Sequence, residues 1–156
     1  MIGKLSDQQM QTILQQNMMG RIGCSSHSKI FVVPVCYAYN GKAIIAHSAE
    51  GMKINMMRNN PQVCFEVDEV TSLTNWRSVI IWGQYQEILD ERERFYSVKF
   101  LMSRLLQYTE AEKVHHAQAI VADEDTGHFN SNIRPVVYRI TIEEMTGRFE
   151  HGDLLI

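Results

Sequence analysis

Cysteine is scarce in this chain, and the pattern of the few present excludes several classes of protein. The three residues, Cys24, Cys36 and Cys64, form no CxxC pair and are odd in number. A disulfide framework is therefore not expected, and the ligand spacings of zinc motifs are absent. Each cysteine sits beside apolar strand residues, so the expectation is buried, reduced thiols, no metal site and a cytoplasmic location. No apolar run approaches the roughly 18 residues of a membrane span. The stretch Met1 to Gln11 is polar after Ile2 and lacks a signal-peptide core. Basic residues are not in excess either: 15 Lys and Arg against 18 Asp and Glu give a net charge of −3. A general nucleic-acid binder would need a basic face. There is also no nucleophile elbow with a Ser-His-Asp pattern, no P-loop and no Rossmann fingerprint.

What is present is an ordinary globular composition, with 45% apolar and 21% charged residues in 156. A chain of that length buries roughly 70% of its unfolded surface, enough for one domain over residues 1–156.

Ser6 with Gln9 reads as a capping box, and Leu5 with Met10 as a hydrophobic staple, opening a helix with Met10, Ile13 and Leu14 on one face. Gly20 is expected to end it. The period then changes to strand. Arg21 to Cys24 is short and extended, and Ser25 to Lys29 forms a polar turn. Ile30 to Tyr39 is apolar on both faces, as in a strand covered on two sides, and Pro34 within it belongs at an edge or bulge. Asn40-Gly41 is a hairpin signal leading into Ala43–His47. Gln62–Val67 alternates, and Arg77–Glu87 carries Gly83 as a bulge or close-approach point. Asp90 with Glu93 caps a second long helix, and Thr109 with Glu112 opens a third. The acidic loop Asp123–Asp125 and a Gly-Asn-Ser-rich connection follow. Val136, Tyr138, Ile140 and Ile142 alternate as a last strand. Hairpin-joined strands with helices at their edges predict a mainly β fold with peripheral helices, an antiparallel barrel.

The segment richest in chemistry is His47-Ser48-Ala49-Glu50-Gly51-Met52-Lys53. Here a strand ends and a short helix begins, stopped at Asn59-Asn60-Pro61. Lys53 falls in the first helical turn, among N–H groups that already carry partial positive charge. A bound phosphate would satisfy both the N–H groups and the lysine. The competing reading is that Glu50 neutralises Lys53 and nothing binds.

Taken in order, Val33-Pro34-Val35, Tyr39-Asn40-Gly41, the His47–Lys53 segment, Asn60-Pro61, Asn75-Trp76-Arg77-Ser78-Val79 and Thr146-Gly147-Arg148 resemble the pyridoxamine 5'-phosphate oxidase-related superfamily, nearest its nitroimidazole-resistance (Nim-like) branch. The resemblance implies an antiparallel split β-barrel of Greek-key type that forms a homodimer with FMN between its subunits. It implies that Lys53 binds the FMN phosphate, with His47 and Ser48 along the phosphate and ribityl end. Val33, Pro34 and Val35 would pass along the isoalloxazine. Trp76, Arg77 and Ser78 would reach the flavin bound mainly to the other subunit. Two positions depart from the oxidases. Met52 replaces a second basic residue beside the lysine, and Ala46 stands where they carry an aromatic. Arg148 to Ile156 also lacks their substrate segment, so oxidation of pyridoxamine phosphate is not expected. The implied activity is that of an FMN-dependent oxidoreductase, taking hydride from NAD(P)H or another donor and reducing a small organic substrate, nitroaromatics among those implied. The alternative is a non-catalytic flavin- or haem-binding module, with His47 as the haem ligand.

Other residues have plainer readings. His115-His116 are adjacent and diverge by about 100° on a helix, so they share no metal. Trp76 is either a lid over the cofactor or an interface anchor. Met18-Met19 and Met56-Met57 read as core filler, and the charged run 90–94 as a solvated helix start.

Overall fold

The computed structural model describes residues 1–107 and 134–152. The helix expected at Thr109, His115-His116, the acidic loop and the connection 126–133 lie outside the described residues. Within them the chain forms β1 (Ile2–Lys4), α1 (Asp7–Gln16), β2 (Met19–Ser26), β3 (Lys29–Cys36), β4 (Ala38–Tyr39), β5 (Ala43–Ser48), α2 (Met52–Asn59), β6 (Gln62–Ser72), β7 (Asn75–Glu87), α3 (Glu91–Leu105) and β8 (Val136–His151). The fold is mainly β, a curled antiparallel half-barrel of the split-barrel type with three helices among the described residues.

The strands follow the order β3-β2-β6-β7-β8-β5-β4, with β1 paired to β8. The two ends of that path, β3 and β4, are separated in sequence by Tyr37 alone. One covalent residue therefore ties the first edge of the sheet to the last, and the sheet must curl for this to be possible. The single strand expected over Ile30 to Tyr39 is thus one apolar run divided between two edges. Tyr37 anchors the corner: its N–H donates to the Met18 carbonyl at 2.9 Å and its hydroxyl to the Leu14 carbonyl at 2.8 Å. Its ring meets Phe65 edge-on at 5.1 Å.

The core fills the inside of the curl with Ile13, Leu14, Ile22, Phe65, Val79, Ile81, Tyr138 and Ile140, and α1 closes one end. Ser6 caps α1 by the expected reciprocal pair, Gln9 N–H to Ser6 Oγ at 3.3 Å and Ser6 N–H to Gln9 Oε1 at 2.8 Å. The staple residues Leu5 and Met10 are both buried against Gly147. The helix stops earlier than Gly20. Asn17 caps it, because its backbone and side-chain amides both donate to the Ile13 carbonyl. Gly20 lies inside β2 instead, where an added Cβ would meet the Phe65 ring at 2.4 Å.

Pro34 does sit on an edge strand, opposite Arg21. The inward residues of β3, Phe31 and Val33, pack on the core, while Ile30 and Val32 remain 78% and 64% exposed. The second cover expected for this strand is not supplied by the described residues. At Asn40-Gly41 the hairpin forms with Gly41 at φ +89°, and Asn40 Oδ1 accepts from the N–H groups of Lys42 and Ala43. Among the methionines, Met18, Met56 and Met57 are buried, whereas Met19 is 43% exposed.

Candidate functional site

Helix α2 lies on β2. Ile54, Met56 and Met57 hold it down in the core. The preceding residue Gly51 provides no side-chain cap, so the first-turn N–H groups have no side-chain acceptor, and the first turn contains no acid. Lys53 stands in this turn, half-buried. It forms no ion pair with any described residue. Burial pushes its ammonium below the ordinary lysine value, and the neighbouring Cys24 thiol pulls weakly the other way. Burial raises the Cys24 thiol, with Lys53 opposing. A half-buried cation at the positive end of a helix is unfavourable alone and becomes favourable with an anion beside it.

The competing reading gave that anion as Glu50. The structure sends Glu50 elsewhere. Its two carboxylate oxygens accept from Arg58 Nη1 and Nη2, each at 2.8 Å, and Arg58 Nη2 also donates to Glu87 on β7 at 2.6 Å. This fork holds the Glu50 carboxyl below the usual carboxylate range and drives Arg58 further up. Glu50, three residues before Lys53, is therefore engaged by Arg58, eight residues after Glu50 itself.

Around this centre the other expected residues fall into three groups. Ser48 ends β5 on the face of Ile44 and Ala46, toward the core, and its hydroxyl donates to the Ala49 carbonyl at 2.9 Å. His47 lies on the opposite face, half-buried, with no hydrogen-bond partner among the described residues. Ala46 is fully buried opposite Tyr138, so its side chain is a core contact. Val33 and Val35 face inward, Pro34 outward, and Met52 is 52% exposed.

The third group stands apart. Trp76 Nε1 donates to Glu150 at 3.0 Å, Arg77 pairs with Glu69, and Ser78 Oγ donates to Glu66 at 2.9 Å. Ser78 is nine residues along β7 from Glu87, which belongs to the Arg58 fork. That is roughly 30 Å of strand. Among the described residues no contact joins Trp76, Arg77 or Ser78 to Lys53.

A separate recess of about 610 Å³ opens near the other end of α2, lined by Ser25, Ser26, His27, Ser28, Ile30, Asn59 and Asn60. It contains no lysine or arginine, so an anion is better served at Lys53. Local spacing in the sequence marks neither Arg58 nor Glu87 as part of the site, and it shows Tyr138 only as a strand residue. Tyr138 is completely buried, tilted against Tyr85 with ring centroids 5.2 Å apart, and its hydroxyl has no hydrogen-bond partner among the described residues.

Comparison with known proteins places this geometry in a family context. The family described as pyridoxamine 5'-phosphate oxidase matches residues 6–149. An uncharacterised protein of Rhizobium meliloti is 32% identical over 84 residues, covering 54% of this chain and 56% of that protein. The match thus spans about half the length of this curated relative. The crystal structure of an FAD-binding protein from Mesorhizobium loti superposes with a TM-score of 0.75 and 28% identity, covering 97% and 99% of the two chains. A candidate 5-nitroimidazole antibiotic resistance protein from Bacteroides thetaiotaomicron gives a TM-score of 0.70 at 20% identity, over 96% and 87%.

Proposed function

Since the chain belongs to the pyridoxamine 5'-phosphate oxidase family, we propose that it binds a flavin, FMN, with the phosphate at Lys53 and the first turn of α2. One observation carries this: a half-buried lysine without an ion pair among the described residues at an uncapped helix start, while Glu50 is engaged by Arg58. One lysine and one helix terminus suit a single terminal phosphate, which favours FMN over FAD.

Ser48, at the end of β5, would lie along the phosphate and ribityl end. The backbone of β3 at Val33, Pro34 and Val35 would pass along the isoalloxazine ring. A second copy of the chain, laid on the exposed face of β3, would cover Ile30 and Val32. It would also bring its own Trp76, Arg77 and Ser78 to the first chain's flavin. The bound flavin supplies hydride and electron transfer, and the protein supplies position and electrostatics. The activity proposed is cytoplasmic reduction of a small organic acceptor, a nitroaromatic among the candidates, with a reduced nicotinamide as donor.

The test is titration of apoprotein with FMN, FAD and riboflavin, followed by flavin fluorescence, for wild type and Lys53→Ala. Losing one charge-assisted contact should weaken FMN about ten- to a hundredfold and leave riboflavin, which has no phosphate, unchanged. Equal FMN affinity in the two proteins rules out Lys53 as the phosphate ligand. Tighter binding of FAD than FMN rules out the choice of cofactor.

A further inference from the structure

Glu50 and Lys53 are three residues apart, at the entry to α2. In a chain with no other charge nearby they would pair, and the lysine would arrive at any phosphate already neutralised. The structure prevents this by a contact across the whole helix. Arg58, in the last turn of α2, grips Glu50 with both terminal nitrogens at 2.8 Å and is itself tied to Glu87 at the end of β7. Arg58 suits that position, since a cation in the last turn complements the helix dipole. The same dipole disfavours Lys53 in the first turn unless an anion binds.

We infer that Arg58 is a positioning residue for the anion site: by sequestering Glu50 it keeps Lys53 unpaired and open to a phosphate. Glu87 acts with it, fixing the guanidinium to the barrel so that the Glu50 loop is held over the C-terminal half of α2. Arg58 acts through Glu50 and does not touch the phosphate. The inference rests on the assignment of the phosphate to Lys53, and the experiment separates the two.

FMN and riboflavin affinities are measured for Arg58→Gln, Glu50→Gln, the Glu50→Gln/Arg58→Gln double variant and Lys53→Ala. In Arg58→Gln the freed carboxylate competes for Lys53, and FMN should bind about fivefold more weakly, the scale of a partly exposed ion pair. Riboflavin should be unaffected. Removing Glu50 as well should restore wild-type FMN affinity, because no competitor remains. If Arg58→Gln weakens FMN and riboflavin alike, the residue is only structural and the inference fails. It fails too if the double variant binds FMN as weakly as Arg58→Gln, since Arg58 would then contact the phosphate itself. Unchanged FMN affinity in Arg58→Gln overturns the inference as well, and should Arg58→Gln not fold, Arg58→Lys, which cannot grip both carboxylate oxygens, replaces it with the same expected outcomes. If Lys53→Ala leaves FMN affinity intact, the phosphate assignment is what has failed.

Discussion

Replacing Gly83 with alanine tests the closure of the barrel at one atom. Gly83 lies on β7 where the pairing with β8 shifts register, and a Cβ placed there would sit 1.8 Å from the Thr141 carbonyl oxygen and 3.2 Å from Ile140 Cγ2. Real Cβ contacts essentially never fall under 3.0 Å, so the strands would have to part by more than an ångström. The obstacle is backbone, and no side-chain rotation relieves it. Overpacking of this kind costs about 1–3 kcal/mol, and each ladder hydrogen bond stretched beside it adds about 1 kcal/mol. Roughly 3–5 kcal/mol is a large share of a stability of about 5–15 kcal/mol. At about 2–4 °C per kcal/mol the melting temperature should drop by roughly 6–20 °C. The assay is thermal and urea unfolding followed by circular dichroism, with Gly41→Ala as the control. Gly41 has open space around it and only its φ of +89° to protect. That substitution should cost about 1–2 kcal/mol. A Gly83→Ala protein that melts no lower than the Gly41→Ala protein would refute the reading of Gly83 as a point of backbone contact.

Two further outcomes follow from buried groups. Lys53 is held below its ordinary value of 10.5 by burial. FMN affinity should therefore fall with rising pH before a free lysine would titrate, and also fall below about pH 6 as the phosphate gains a proton. The unfolded chain holds this proton more readily than the folded one. The flavin-free protein should accordingly gain stability from this group as pH climbs through the depressed pKa, while the complex loses it. Affinity for FMN, referenced to riboflavin, that stays level up to the ordinary lysine range would contradict this. Separately, Tyr138→Phe removes a buried hydroxyl with no partner among the described residues. It should raise the unfolding free energy by about 1 kcal/mol in urea titration. A clear loss of stability would show that the hydroxyl is satisfied.

Local patterns were legible wherever the physics is local. The Ser6 and Asp90 caps, the Asn40-Gly41 turn and the alternation of β6 each follow from residues within a few positions of one another. Asp90 accepts from the Glu93 N–H at 2.9 Å, as the spacing predicts. The alternation predicts a last strand only to Ile142, yet β8 runs to His151. The cause is Glu143. Trp82 pairs with Glu144 and Gly83 with Ile142, so Glu143 is an extra residue. It moves the inward positions from Val136, Tyr138 and Ile140 to Met145, Gly147 and Phe149. A period-2 reading cannot survive that phase change. β1 was missed because three residues carry no periodicity. The Arg58 fork was invisible for a different reason: its partners are eight and 29 residues away. Helix spacing rules connect only neighbours three or four apart. In the site, the lysine could be read from its place in the helix. Its freedom from Glu50 could be seen only once the chain was folded.

The placement of β8 has a kinetic consequence. This one strand pairs with β1, β5 and β7, and β7 ends at Glu87 while β8 begins at Val136. Until residues 136–151 have emerged from the ribosome, β7 has one unpaired edge, β5 has only the two-residue β4 beside it, and β1 has no partner. Pairings so distant in sequence make folding slow, on the scale of milliseconds to seconds. Through that interval the long edge of β7, with Ile80 and Trp82 along it, is open to other chains. The last strand to be made is the one that ends this exposure.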